Sequence, residues 1–386
     1  MGKISRSMTG AAVALAVAVA VWPVAAQRKG DEKAAPKADP RQELIGSLVT
    51  AADLAMAGAP GASVYVFDPA AETRVVADPS TSIQIDIDTH FLKASDRKIY
   101  VPFTVRVQPG VLGASTSLAA YLRLAPRGAA APAAAPPIEN PKDRKKNDRK
   151  KRGKEAQDLA GEAVSGVEYP WEDLYELNAS PATPGGPLTF SRPFSVPAGE
   201  YDLYLAVRTA NTTTPLKVAV LKHSLTVPDY WSTEFMLSSV LLASRVTPLE
   251  TVPTGDEQKA KPYVIGNLEI TPSFDGKFTA ADELSIFFII YNPQLNPSKK
   301  PDVTIEWQPY KKGPLGESKF RAIEPQKLNP ETLPAGFDVE QGHQLVGSLN
   351  LPASAFEPGD YRMAIKVTDN VGGKSLEHDV NFSVAP

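Results

Sequence analysis

PAGEYDLYLAVR at 197–208 and EPGDYRMAIKVTD at 357–369 decide how the chain is read. Each opens on a proline-containing turn and a glycine, followed by an acid and a tyrosine: Gly199-Glu200-Tyr201 and Gly359-Asp360-Tyr361. Each continues as an alternating run, the period of a strand whose two faces meet different surroundings. A further run follows each, ending in Val227-Pro228 and in Val384-Ala385-Pro386. The same pattern, placed near the end of two strand-rich blocks, reads as an internal repeat.

A Gly-acid-Tyr start to a strand matches the tyrosine corner of immunoglobulin-like sandwiches, in which the hydroxyl bonds nearby backbone. Tyr201 and Tyr361 are therefore assigned a structural role. Around the first copy lie SIQIDID (82–88), KIYVPFTVRVQ (98–108), SLAAYLRLAP (117–126), DLYELN (173–178), PLTFSRPFSV (187–196) and LKVAVLKHSLTV (216–227). Around the second lie YVIGNLEI (263–270), ELSIFFIIYN (283–292), DVTIEW (302–307) and QLVGSLNL (344–351). Turn residues such as Asp275-Gly276, Asn296-Pro297 and Gly372-Gly373 separate them. Short strands at that spacing, without helical patterns between them, predict antiparallel sandwiches. The fold class read from the sequence is all-β: two immunoglobulin-like antiparallel β-sandwich domains, 61–228 and 229–386. The first is interrupted at 126–163 by an Ala/Pro-rich and basic insert whose composition cannot bury a core. Residues 27–60 read as a flexible lead-in. Within it Leu44, Ile45, Leu48, Val49, Ala52 and Leu54 recur at near-helical spacing and predict a short packing helix.

Composition narrows the function. The 386 residues contain 36 Pro, 26 Gly, 4 His and no Cys. Disulfide scaffolds, thiolate metal sites and cysteine nucleophiles are excluded. Residues 1–26 have the form of a secretory signal. Lys3 and Arg6 precede the apolar Ala11–Val21 stretch, and Val24-Ala25-Ala26 offers a cleavage site. That stretch is shorter than the roughly 20 residues a spanning helix needs. Export to the periplasm or outer cell envelope is expected, with no transmembrane segment after cleavage.

Several motifs bear on chemistry. Asp78-Pro79-Ser80-Thr81-Ser82 fits the D-x-S-x-S metal loop of von Willebrand A domains, but it runs into an alternating strand where that fold needs a helix. Asp86 and Asp88 occupy the outward face of that strand and need no cation there. No metal or cofactor is expected. Glu168, Glu172, Asp173 and Glu176 cluster around Tyr169 and Trp171. Paired carboxylates beside aromatics are the material of a glycosidase or a sugar-binding site, so Tyr169 and Trp171 are candidate ligand-stacking residues. No G-x-S-x-G, H-E-x-x-H or phosphate-cradling glycine loop occurs. No catalytic residue is assigned.

The sharpest charged feature is KDRKKNDRKKRGK at 142–154. Lys142, Arg144, Lys145, Lys146, Arg149, Lys150, Lys151, Arg152 and Lys154 stand against Asp143 and Asp148, a net charge of +7. The formal charge of the whole chain is −3, so the rest carries −10. Such a run attracts anionic lipid headgroups or acidic proteins. It lacks interleaved aromatics for base stacking, and nucleic acid is not an expected partner.

VPDYWSTEFMLSSVLLAS, KPYVIGNLEITP, FTAADELSIFFIIYNP, KKPDVTIEW and FEPGDYRMAIKVTDNVGGKSL, together with RKIYVPFTVRVQ, EDLYEL and PAGEYDLYLAVR, resemble one region of exported bacterial proteins. That region is the C-terminal β-sandwich part of acidobacterial GWxTD-domain proteins and of related envelope proteins carrying von Willebrand A domains. The resemblance covers roughly residues 80–386 outside the basic insert. The GWxTD domain itself is expected to be lacking, since Trp231-Ser232-Thr233-Glu234 leads into a strand pattern. The resemblance implies an envelope sandwich protein and supplies no catalytic residues.

The sequence thus leads to a non-catalytic exported protein with a structural or protein-interaction role, its partners an envelope protein or an anionic envelope surface. The alternatives are a polysaccharide- or peptidoglycan-binding module and, ranked lower, a hydrolase with a convergent site. Deletion of 140–154 should weaken binding to anionic liposomes and flatten its salt dependence in a sedimentation assay, whereas unchanged binding would make the run a spacer.

Overall fold

The computed structural model describes residues 40–58, 62–67, 75–77, 85–108, 117–131, 169–178, 180–181, 186–210 and 216–386. The signal stretch, the Asp78–Ser82 motif, Glu168 and the whole basic run lie outside the described residues. The chain is mostly strand, in four sheets that pack as two sandwiches.

A helix, α1 (Pro40–Gly58), precedes the strands. Along the chain follow β1 (Ala62–Phe67), β2 (Val75–Ala77), β3 (Ile85–Thr89), β4 (Leu92–Lys93), β5 (Lys98–Val107) and β6 (Ser117–Pro126). Next come β7 (Trp171–Asn178), β8 (Ser180–Pro181), β9 (Leu188–Pro197), β10 (Gly199–Thr209) and β11 (Leu216–Val227). One sheet has the order β2-β1-β11-β10-β6-β7, and the facing sheet β3-β5-β9-β8, with β4 also on β5.

The second sandwich begins with β12 (Met236–Leu237), β13 (Leu241–Pro248), α2 (Asp256–Ala260), β14 (Val264–Ile265), β15 (Leu268–Pro272) and β16 (Lys277–Phe278). It continues with β17 (Glu283–Tyr291), β18 (Val303–Gly313), β19 (Gly316–Lys319), β20 (Gln326–Leu328), β21 (Leu345–Pro352), β22 (Gly359–Asp369) and β23 (Lys374–Val384). Its sheets run β12-β17-β13-β15-β14, with β21 on β17, and β16-β23-β22-β18-β19, with β20 on β18. The pairing is antiparallel apart from β16 on β23, which is parallel and departs from the expected pattern.

The repeat stretches sit at equivalent crossings. The turn before β10 carries the chain from the β9 sheet to the opposite one, and the turn before β22 does the same from β21. The Tyr201 hydroxyl donates to the Pro197 carbonyl at 3.0 Å, and the Tyr361 hydroxyl to the Glu357 carbonyl at 2.8 Å. Gly199 (φ 155°) and Gly359 (φ 146°) adopt backbone that side chains disfavour, which explains the glycine two places before each tyrosine. Tyr361 is fully buried, stacked on Phe382 with ring centroids 5.2 Å apart and met edge-on by Phe356.

The two copies differ on their other face. In β22, Arg362 and Lys366 lie on the outer face, and Arg362 pairs with Glu317 and Asp379 over the Tyr310 ring. In β10 the corresponding face is buried, because α1 covers it. Leu44, Leu48, Ala51, Ala52 and Ala55 pack on Ala119, Tyr121, Tyr204, Ala206, Val218 and Val220. The alanines on both sides bring helix and sheet close together. Polar pins cross the same layer: Arg208 Nη1 donates to Ser47 Oγ at 2.7 Å, and Arg123 pairs with Asp53 at 2.5 Å.

The apolar core of the first sandwich continues into the contact with the second, where Val105, Tyr230, Tyr263 and Phe287 belong to one cluster, while the second sandwich has its own core around Phe288, Trp307 and Tyr361. Hydrogen bonds stitch the contact. Phe91 N–H donates to Ser239 Oγ and Ser239 N–H to the Phe91 carbonyl, while Lys93 N–H donates to the Tyr291 hydroxyl. The Tyr100 hydroxyl donates to the Pro262 carbonyl, and Trp231 Nε1 to the Lys98 carbonyl. At the centre Thr104 Oγ1 donates to the Tyr263 hydroxyl, which lies 3.2 Å from His90 Nδ1. The His90 ring meets Tyr263 edge-on and leans on Phe274, over which Arg106, paired with Asp88, also sits.

Two outcomes follow from this packing. Tyr361→Phe keeps the ring and removes one buried hydrogen bond, so the urea midpoint should fall by the equivalent of about 1 kcal/mol with an unchanged slope. Burial holds the His90 pKa at about 4, below its usual 6.5, so the folded state favours the neutral ring. Its contribution is complete above pH 6.5 and is lost as the pH falls toward 4, because the unfolded chain binds the proton first. A stability-against-pH series should therefore be flatter in that window for His90→Phe than for the wild type.

Candidate binding cleft

The open side of the first sandwich holds a cleft of about 530 Å³. Its walls are two sheet edges. Among the described strands β7 pairs only with β6, and β9 has β8 beside it only at Thr189 and Leu188, leaving Phe190 to Pro197 unpaired on that side. Trp171, Asp173 and Tyr175 come from β7, Arg192 and Phe194 from β9, Tyr100 from β5 and Lys259 from α2. The second sandwich thus helps to complete a cleft in the first.

Alternation along β7 sets what faces where. Trp171, Tyr175 and Leu177 pack into the space between the sheets, Trp171 with its ring centroid 6.3 Å from Phe194 and Tyr175 6.2 Å from Phe103. Glu172 and Leu174 turn to the outer face beneath α1. Both cleft edges are blunted at mid-length. Pro193 has no N–H to offer, and Asp173 Oδ1 already accepts the Leu174 N–H at 2.8 Å. Trp171 Nε1 and the Tyr175 hydroxyl are buried near each other and make no well-aligned hydrogen bond, though Trp171 and Asp173 both bear on the phenol.

Electrostatics follow from this burial. Desolvation raises the Tyr175 phenol well above its ordinary range, and nearby Asp173 adds to the shift. Desolvation lowers the Arg192 guanidinium, opposed by Tyr175 and Asp173. Tyr100 is pushed up to about 12 by burial. These phenols stay protonated and act as hydrogen-bond donors or acceptors, not as bases.

The candidate stacking pair is not brought together. Trp171 lines the cleft, but Tyr169 packs with the α1 cluster, 4.2 Å from the Arg123 guanidinium and with its hydroxyl on Met56 Sδ. The sheet lies between the two aromatic environments, and α1 supplies the outer one. The carboxylate cluster is divided in the same way. Glu172 is 3.4 Å from Arg123, its pKa raised by burial and by Asp53, whereas Asp173, on the opposite face of β7, lines the cleft. Among the described residues no group of three or more His, Asp or Glu could hold a metal. No described helix is long and apolar enough to cross a membrane.

Tyr100, Arg192 and Lys259 have no sequence signal linking them to Trp171. The nearest hint is Pro193 inside a strand-like run, paired with Pro102 of β5, which marks the far side of β9 as an edge.

The chain matches no protein-family profile and no curated protein. Among solved structures it is similar to Salmonella alpha-2-macroglobulin reacted with methylamine, at 12% identity and a TM-score of 0.19, covering 86% of this chain and 21% of that one. It is also similar to trypsin-activated alpha-2-macroglobulin from Escherichia coli, at 10% identity and a TM-score of 0.21, covering 86% of this chain and 22% of that one.

Proposed function

We propose that this chain is an exported, non-catalytic interaction module of the cell envelope, in which two sandwiches act as one rigid body. The observation that carries the proposal is the stitched contact between them. Reciprocal backbone and side-chain bonds link Phe91 to Ser239, and both sandwiches contribute to one apolar cluster. Domains that only follow one another on a chain share small, polar contacts and move independently. A bonded apolar contact would hold the two ends of the molecule at a set separation, which suits a spacer or an adaptor that presents a binding surface.

The resemblance to exported envelope sandwich proteins and the leader-like first residues support the location. The basic run at 142–154 would add attraction to an anionic envelope surface. In this reading Arg123, buried between Asp53 and Glu172, serves to clamp α1 to the sheet, and the buried phenols serve packing and recognition.

Cross-linking in intact cells tests the proposal. A photo-reactive residue at the exposed Leu315 on the β18–β19 turn, or at Val252, should give a discrete high-mass adduct containing an envelope component. Recovery of monomer alone at both positions would count against an interaction role.

A further inference from the structure

We infer that the cleft between β7 and β9 binds a neutral oligosaccharide, gripped by side chains through its hydroxyls and pyranose faces. This deepens the proposed function and rests on it for one point, that the bound sugar is left intact.

Two facing sheet edges would ordinarily invite an extended peptide as an added strand. Here the middle of each edge is closed to that mode, by Pro193 on β9 and by the Asp173 carboxylate on the Leu174 N–H of β7. A ligand in the cleft must be held by side chains. Those on offer are the Trp171 indole and the Tyr100 and Tyr175 rings, with Arg192 and Lys259 set against Asp173 and Glu176 in charge. Balanced charge gives no selection for an anion or a cation. It does provide both donors and acceptors beside aromatic surface, which is what a pyranose, with apolar C–H faces and amphoteric hydroxyls, requires.

The second observation is a pair of poorly satisfied buried donors. Tyr175 is 8% exposed, and its hydroxyl and the neighbouring Trp171 Nε1 make no well-aligned hydrogen bond, although Trp171 and Asp173 both lie close enough to act on the phenol. A buried donor left unpaired is costly, and such groups recur where a ligand supplies the missing acceptor. A sugar hydroxyl or ring oxygen presented from the cleft would supply the well-placed acceptor they lack. The volume of about 530 Å³ lies within the range of small-ligand sites, roughly 300–1,000 Å³.

Isothermal titration of the full chain with cellohexaose and with hexa-N-acetylchitohexaose tests the site. At least one should bind saturably. Tyr175→Phe keeps the packing ring and should weaken that binding about fivefold, the loss of one ordinary hydrogen bond. Arg192→Gln should weaken it by a similar factor, and Trp171→Ala by more than tenfold if its melting transition is retained. Tyr169→Phe, on the other face of the sheet, should bind as the wild type does. The inference is overturned if neither hexasaccharide binds at millimolar concentration. It is also overturned if Tyr175→Phe and Arg192→Gln both bind with wild-type affinity, or if an unstructured peptide occupies the cleft while both sugars fail. Chromatography of the recovered sugar separates the two claims. Shortened products would sink the non-catalytic reading and leave the cleft assignment standing, whereas absent binding would do the reverse.

Discussion

The crossing from one sheet to the other at Gly-acid-Tyr governs both halves of this molecule. A sandwich exists only if the chain leaves one sheet and starts the next at a set angle and height. At 197–201 and 357–361 that geometry is tied by a tyrosine hydroxyl bonded to the carbonyl four residues upstream. The glycine relaxes the backbone where the chain bends, and the tyrosine ring fills the space beneath the corner. Once β10 and β22 are placed, their antiparallel neighbours follow in register along their full length.

What then distinguishes the halves is burial of the outer face. The β22 sheet leaves that face to water and fills it with ion pairs around Arg362. The β10 sheet is roofed by α1 and carries Tyr204, Ala206 and Arg208 at the equivalent places. The helix therefore makes the first half three layers thick. It also draws Tyr169 and Glu172 to its own side of β7. Their neighbours Trp171, Asp173 and Tyr175 remain at the open side of the sandwich.

The second half contributes to that open side. α2 packs near β9, and the Tyr100 hydroxyl is tied to the carbonyl of Pro262 just beyond α2. The cleft thus takes residues from strands far apart in sequence and from both sandwiches. The apolar contact that joins the halves also brings α2 to the edge of that cleft, through the burial of apolar surface between the sandwiches.

Much of the fold was legible in the residues themselves. Period-two alternation, the repeated Gly-acid-Tyr and the near-helical spacing at 44–54 are local signals, and local signals fix which face of an element turns inward. By the same logic the sequence alone determined an all-β chain with two structural tyrosines and one packing helix. It also singled out Trp171. It could not separate Trp171 from Tyr169, because two aromatics two places apart share a face only while the strand continues, and Tyr169 precedes its start. Tertiary structure alone decided that α1 covers one sheet, that β16 runs parallel to β23, and that Tyr100, Arg192 and Lys259 meet at Trp171. It also decided that His90 lies against Tyr263. Each of these depends on which surfaces are removed from water together, and pairings between distant segments leave no period or spacing in the chain that makes them.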